Sequence, residues 1–204
     1  MLTRNLRNAW LSLGLLLSFA AHAATTSPYQ IIEDVSGKLM STIKGGEQTL
    51  KTHPDDYYAS LSKVLEPAVN FDFIAQAVMA DAWQKANEAQ RRKFTEIFKL
   101  GMVKTLAKGL AAYSNLTISL VPPSGDLGAQ KRVEVLQQVT GGEKTHQVTY
   151  TMQLDKNGDW KLINVILNGV SLGKSYREQF AQTLKQSNNN IDTVINDWNS
   201  DTKS

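Results

Sequence analysis

The chain has 204 residues, no cysteine and a formal net charge of +3 at pH 7. This length can bury one sizeable hydrophobic core, and the lack of cysteine excludes disulfide scaffolds and zinc sites built on thiolates. Basic and acidic residues are interleaved, so the chain lacks the concentrated basic face of nucleic-acid-binding proteins, and we expect no nucleic-acid partner. The exception, Arg91–Lys93, falls at the start of a predicted helix and is interpreted as a solvated helix face.

Residues 1–23 predict a secretory signal peptide that is cleaved from the mature protein. Arg4 and Arg7 form a basic start, residues 9–21 are almost wholly apolar, and Ala21-His22-Ala23 has the small-x-small pattern of a cleavage site. The apolar run is too short to span a bilayer, and no later segment is long and apolar enough. The mature chain, from Ala24, keeps a net charge of about +1, and we expect a soluble exported protein.

The segment from 28 to 113 shows the apolar spacing of helices. A first helix over Tyr29–Ile43 ends at Gly45-Gly46, and a second begins around Thr52–Pro54, where proline suits an early helical position. Asn70 precedes an apolar run and is a favoured helix-capping residue, so it predicts a short third helix.

The longest predicted helix begins after Asn87 and runs to about Tyr113. Asn87 and Gln90 have the spacing of a capping box, in which each side chain accepts the other residue's backbone N–H. The apolar residues of this helix cover more than one narrow face, and we therefore expect it to pack on two sides.

Residues 115–167 alternate between apolar and polar side chains, which is the period of half-buried strands. They predict four antiparallel strands, with hairpin turns at Gly141-Gly142 and Asn157-Gly158, the latter typical of a type I′ turn. Gln137 interrupts the apolar parity of the second strand, and we place His146 on the polar face of the third. The apolar positions are Leu116, Ile118, Leu120, Val133, Val135, Val139, Val148, Tyr150, Met152 and Leu154.

The stretch Trp160–Phe180 joins a buried strand to a helix through a break at Asn168-Gly169. Beyond this break, apolar residues recur every four positions from Leu172 to Leu184, as on one face of a helix. A final short helix is predicted between Ile191 and Trp198.

Gly169–Gly173 matches the G-x-S-x-G motif of serine hydrolases, with Ser171 as the candidate nucleophile. A hydrolase of this order needs a histidine after the serine, but His22, His53 and His146 all precede it. The remaining chain is also too short for the rest of a hydrolase sheet. We therefore favour a strand–helix corner and predict that the protein is not an enzyme, with a periplasmic serine esterase that uses Ser171 as an alternative.

Asp155–Asp159 resembles the start of an EF-hand calcium loop. That loop requires glycine at its sixth position and glutamate at its twelfth, whereas here the glycine is fourth and the twelfth residue is Ile166. A hairpin turn is the preferred interpretation, and we expect no metal and no cofactor.

Together these elements predict an α+β fold: a curved four-stranded antiparallel sheet covered by helices. Residues 24–204 form one expected domain, with a helical lobe mostly over 28–113, the sheet mostly over 115–167 and C-terminal helices over 172–200. An apolar sheet face under a broadly apolar helix builds either a closed core or a lined cavity, because both use the same residue types.

Several of these segments resemble the MlaC family, also called the toluene-tolerance auxiliary family. The resemblance is carried by Trp160–Phe180, Asn70–Ala75, Trp83, Gln90–Phe94 and Tyr113. The chain departs from many members at Ile163–Val165, where they carry an acid. The resemblance implies a sheet similar to nuclear-transport-factor-like domains, a helical lobe, and a deep apolar pocket for phospholipid acyl chains.

By the same resemblance, the protein is expected to be a monomeric periplasmic carrier in a Gram-negative cell, with phospholipid as its cargo. It would serve an ABC transport system, shuttle lipid between the outer and inner membranes, and maintain outer-membrane lipid asymmetry. Expected partners are an outer-membrane lipoprotein–porin complex and the substrate-binding subunit of the inner-membrane ABC system. A periplasmic adaptor that binds no lipid is the other alternative.

Strand parity and helix spacing select the residues that are expected to line the acyl pocket. They are Phe73, Phe98, Met102, Val133, Val135, Val148, Tyr150 and Met152. Tyr176 and Arg177 are expected to be structural or partner-facing and not catalytic.

Overall fold

The computed structural model describes residues 26–111, 116–141 and 143–198. The expected signal peptide lies outside the described residues, as do Tyr113, at the expected end of the longest helix, and Gly142, in an expected hairpin turn. Within the described ranges, no helix combines the length and the apolar character needed to cross a membrane.

Helices form the first half of the described chain and return at its end. They are α1 (Pro28–Gly45), α2 (Glu47–Thr52), α3 (Pro54–Leu65), α4 (Phe71–Met79), α5 (Asp81–Lys85), α6 (Glu88–Ala111), α7 (Leu172–Gln186) and α8 (Ile191–Asp197). The short helix α2 has no buried residue, so no apolar spacing in the sequence predicted it.

The predicted helix starts at Asn70 and Asn87 are present. The Asn70 side chain accepts the backbone N–H of Phe73 at 2.9 Å. Asn87 and Gln90 form the reciprocal capping box, since each side-chain oxygen accepts the other residue's backbone N–H at 2.9 Å. These bonds satisfy N–H groups that a helix start leaves without partners.

The strands form an antiparallel sheet in the order β1-β2-β3-β4-β5. They are β1 (Leu116–Leu120), β2 (Arg132–Gly141), β3 (Lys144–Leu154), β4 (Trp160–Leu167) and β5 (Val170–Ser171). The predicted α+β class is confirmed. The sheet gains a two-residue fifth strand because the chain reverses at Asn168-Gly169, where both residues have the positive φ that a type I′ turn requires, 49° and 84°.

The hairpin between β3 and β4 forms as predicted, but its turn type differs. Only Gly158 has a positive φ there, 86°, so Asn157-Gly158 is not a type I′ turn. The Gly158 N–H donates to the Asp155 carbonyl at 3.1 Å and the Asp155 N–H to the Asp159 carbonyl at 2.8 Å, which closes a three-residue loop. The Asp155 carboxylate accepts the N–H groups of Asp159 and Asn157, and the bond from Asp159 is the main cause of its lowered pKa.

Two hydrophobic clusters hold the layers together. The larger lies among the helices and centres on aromatic contacts, with the Phe94 ring 5.1 Å from Phe180 and 5.3 Å from Trp198. The smaller joins α1 to one end of the sheet and contains Ile32, Val133, Val135, Met152 and Trp160. Helix α6 contacts α1, α3, α4 and α8, as expected for a helix that is apolar on more than one side.

Candidate functional site: an apolar cavity between helices and sheet

A cavity of about 470 Å³ lies between the helical layer and the inner face of the sheet. This volume falls within the usual range of ligand pockets, roughly 300–1,000 Å³. Its wall is mainly apolar and draws on α1, α4, α6, α7 and all four long strands. The apolar lining residues include Val35, Leu39, Met40, Ile74, Met102, Leu106, Ile118, Val139, Val148, Val165 and Leu172.

The strand register shows where the cavity closes. Successive rows of inward-facing residues run across β2, β3 and β4, about 7 Å apart. The row Val133–Met152–Leu162 meets Ile32 and Trp160 in the smaller cluster. That end of the sheet is therefore filled by closely packed apolar side chains.

The other end of the cavity reaches the surface. The row Gln137–Val148–Leu167 lies two rows further along the sheet, and Leu167 is both a lining residue and 40% exposed. Beyond it lies the pair Val139–His146, which also lines the cavity. The rows therefore lead from a filled end to an open end.

The structure distributes the predicted lining residues over four environments. Met102, Val148 and Tyr150 line the cavity. Val133, Val135 and Met152 share strand parity with them but pack in the closed cluster below. Phe98 is fully buried among aromatic rings, and Phe73 lies on α4 with 38% of its surface exposed.

The cavity wall contains a polar trio that the sequence did not identify as a site: Ser36, Gln137 and Tyr150. The Tyr150 hydroxyl donates to Gln137 Oε1 at 2.9 Å, and Gln137 Nε2 donates to Ser36 Oγ at 3.0 Å. Burial raises the pKa of Tyr150 to about 12. The signal that could have revealed the trio is Gln137 itself, a polar residue on the apolar parity of its strand.

His146 also faces the cavity, whereas we expected it on the polar face of β3. Its position has the same parity as Val148 and Tyr150, and this parity was the available signal. Its ring Nδ1 lies 2.9 Å from Nδ2 of Asn168 in the β4–β5 turn. Asn168 Oδ1 in turn accepts the backbone N–H of Gln147 at 2.9 Å.

Ser171 caps a helix. Its Oγ accepts the backbone N–H of Lys174 at 3.3 Å at the start of α7 and donates to Asn164 Oδ1 at 3.2 Å. The two histidines in the described ranges make their hydrogen bonds elsewhere, His53 with Thr52 and His146 with Asn168. Among the described residues, the geometry does not assemble the histidine–serine pair that a hydrolase needs.

Asn164 lies within Ile163–Val165, the segment where many members of the family that the chain resembles carry an acid. Its Oδ1 accepts the Gly173 N–H at 3.1 Å as well as the Ser171 hydroxyl. One side chain of β4 thus holds the start of α7, a role that needs an acceptor oxygen and not a charge.

Tyr176 and Arg177 have structural contacts. The buried Tyr176 ring lies edge-on to Phe98 at 5.3 Å and lines the cavity. Arg177 Nε donates to the carbonyl of Ala77 at 2.7 Å, which ties α7 to α4. On α6, Arg91 similarly donates to the Trp83 carbonyl at 2.8 Å and lies 5.4 Å from the centre of the Trp83 ring.

Comparison with known proteins agrees with this architecture. The chain matches the sequence model of the MlaC protein family over residues 33–200. It is 31% identical to toluene tolerance protein Ttg2D of Pseudomonas putida, over 91% of this chain and 87% of that protein. It is 23% identical to the intermembrane phospholipid transport system binding protein MlaC of Haemophilus influenzae, over 84% and 80% of the two chains.

A solved structure shares the fold. It is the phospholipid-binding protein from Ralstonia solanacearum in complex with a phospholipid, with a TM-score of 0.74 and 20% identity, over 83% of this chain and 93% of that one. The family match covers most of the chain, and the fold agrees with it. The chain belongs to the MlaC family.

Proposed function

We propose that this protein binds phospholipid in the cavity between helices and sheet and carries it between the outer and inner membranes. The observation that carries the proposal is the mainly apolar cavity of about 470 Å³ with one filled and one open end. Such a shape encloses acyl chains and leaves a polar headgroup in solvent. The solved structure of similar fold is described as a complex with a phospholipid.

The energetics explain why a carrier needs this cavity. At roughly 0.8 kcal/mol per buried methylene, exposing an acyl chain of about 16 carbons to water costs on the order of 10 kcal/mol. A protein that encloses the chain removes most of this barrier without any catalytic group. The helix-capping role of Ser171 fits a protein that is not an esterase.

The cellular part of the proposal rests on family membership and on the sequence pattern of residues 1–23. We place the protein in the periplasm of a Gram-negative cell, as a monomer that maintains outer-membrane lipid asymmetry. It would exchange lipid with an outer-membrane lipoprotein–porin complex and with the substrate-binding subunit of an inner-membrane ABC system. The mature charge of about +1 gives little attraction to bare anionic membranes, so delivery depends on docking to these partners.

The test is lipid loading of the purified protein, measured by organic extraction and mass spectrometry. Val148→Glu places a carboxylate in the cavity wall and should abolish loading, because a charge among acyl chains is not compensated. Gln138→Glu is the matched control, since it adds the same charge to the same sheet at an exposed position. We expect the control to load like the wild type.

Other results would favour the alternatives. A lipid-free wild type that binds a periplasmic protein would support the adaptor. Hydrolysis of a model ester that is lost in Ser171→Ala would support the esterase. Normal loading of a folded Val148→Glu variant would show that this cavity does not hold the lipid.

A further inference from the structure

Hydrogen bonds around Asn168 fix the tautomer of the neutral His146 ring. Asn168 Oδ1 accepts the Gln147 N–H at 2.9 Å, so the amide nitrogen Nδ2 must be the atom that faces His146 Nδ1, also at 2.9 Å. An amide NH₂ group only donates, and Nδ1 must therefore accept. In the neutral ring the proton then lies on Nε2.

The backbone of Asn168 makes this arrangement rigid. Asn168 has a positive φ of 49° in the tight β4–β5 turn, a conformation that asparagine tolerates better than most residues. Its own N–H donates to the Gln147 carbonyl at 2.8 Å. Three hydrogen bonds thus join the turn to β3, and one of them holds the ring through Nδ1. The other ring nitrogen, Nε2, is not engaged by Asn168.

The position of His146 indicates which part of a bound ligand its Nε2–H can reach. The half-buried ring lines the cavity one row beyond Val148, about 7 Å closer to the open end. The neighbouring row ends in the exposed Leu167. Within the described part of the chain, no protein acceptor pairs with Nε2 of His146.

We propose that His146 is a lipid-binding residue, which donates its Nε2–H to an acceptor oxygen in the ester–phosphate region of the bound lipid. This inference rests on the proposed function, and it assigns the open end of the cavity a polar contact. Acyl chains have no acceptor along their length, so the first oxygens of the cargo lie where the chains leave the cavity. Ester carbonyl and phosphate oxygens share the chemistry that an N–H donor recognises.

The test compares His146→Phe, which keeps a ring without a donor, with His146→Gln, whose amide restores an N–H at a similar reach. Each protein is loaded with a diester phospholipid, and transfer to acceptor vesicles is timed. We expect release from His146→Phe to be about tenfold faster than from the wild type, the effect of one hydrogen bond to a polar or charged acceptor. His146→Gln should stay close to the wild type. His146→Leu replaces the Phe variant if that variant does not fold.

Two further lipids identify the acceptor. A diether phospholipid lacks the ester carbonyls, and diacylglycerol lacks the phosphate. If the tenfold difference in release between His146→Phe and the wild type disappears with the diether lipid, the acceptor is the ester carbonyl. If it disappears with diacylglycerol, the acceptor is the phosphate. If it disappears with both lipids, the two oxygens share the contact. A gap that persists with both lipids would show a packing effect and overturn the proposal.

Three other results would also overturn it. They are equal release from the wild type and His146→Phe, fast release from a folded His146→Gln, and a ¹⁵N spectrum at pH 8 that places the proton on Nδ1. Equal release from a loaded wild type refutes only the role of His146. A wild type that never holds lipid refutes the proposed function and this inference with it.

Discussion

At the scale of single residues, the hydrogen bonds of Gln137 explain how a polar side chain is buried in an apolar wall. Gln137 is 2% exposed, and its amide bonds both Ser36 and Tyr150. Without these bonds, burial would cost roughly 1–3 kcal/mol per group. The trio therefore links α1, β2 and β3 across the cavity wall.

The raised pKa of Tyr150 predicts a loss of stability at high pH. Burial raises this pKa from 10.0 to about 12, so the unfolded chain loses the phenolic proton first. The stabilisation that comes from the neutral Tyr150 hydroxyl is complete below about pH 10. As the pH rises towards 12 it is lost, and the free energy of unfolding falls by about 2 kcal/mol. Urea denaturation between pH 9 and 12 should show a steeper decline for the wild type than for Tyr150→Phe, and parallel curves would contradict the assignment.

Position 46 requires glycine because the neighbouring atoms leave no room for a Cβ. A Cβ at this position would contact Tyr57 Cε2 and would lie 2.6 Å from Tyr57 Cδ2 and 2.7 Å from the Thr42 carbonyl oxygen. Tyr57 is itself buried and cannot easily move. Gly46→Ala should therefore destabilise the protein by about 1–3 kcal/mol.

Gly45 provides the matched control for this prediction. A Cβ there would meet nothing within 4 Å, and alanine favours the helix that Gly45 ends. Gly45→Ala should leave the melting temperature unchanged or slightly raised. Equal melting temperatures for the two alanine variants would count against the steric explanation.

At the scale of elements, α7 shows how a catalytic motif can serve a structural role. The strand–turn–helix context of Ser171 fits a nucleophile elbow, but the serine hydroxyl bonds Lys174 N–H and Asn164. The first bond caps the start of α7, and the second fastens that start to β4. Ser171 is therefore explained by helix capping alone.

Removal of this cap should cost stability. Ser171→Ala is expected to lower the free energy of unfolding by about 1 kcal/mol, the usual effect of losing a helix cap. Ser171→Thr keeps the hydroxyl and should retain most of the wild-type value. Chemical denaturation of the three proteins decides the question, and an unchanged Ser171→Ala protein would show that the cap contributes nothing.

At the scale of the whole molecule, the helical layer covers the sheet unevenly. At one end, α1 meets Val133, Val135 and Met152 in close packing. At the other end the layers stand apart around the cavity. One face of the sheet thus contains both part of the core and the candidate lipid site.

This uneven packing predicts different responses to the same substitution. Val135 is fully buried, so Val135→Glu should destabilise the fold by on the order of 3–5 kcal/mol through an unpaired buried charge. Val148 is only half-buried on the cavity side, and Val148→Glu should lose much less stability. Urea denaturation of both variants measures the contrast, and similar losses would mean that the two ends of the sheet pack alike.

The sequence by itself determined the local features of this fold. The caps at Asn70 and Asn87, the alternation of the strands and the helical face from Leu172 onward depend on neighbours within a few residues, so the sequence predicts them. The family was visible in the same segments. Even the Asn-Gly turn signal was present twice, although only Asn168-Gly169 has the positive φ values of a type I′ turn.

The tertiary structure decided which residues line the cavity. Val135 and Val148 have the same parity and residue type, yet one packs against Ile32 in the closed cluster and the other faces the cavity. Parity fixes only the face of the sheet on which a side chain lies. Whether that face is filled depends on where the helices approach it, which residues distant in sequence decide. Parity could have placed Gln137 and His146 on the inner face with the predicted Tyr150, but the hydrogen bonds that join them to Ser36 on α1 and to the β4–β5 turn are decided by the tertiary structure.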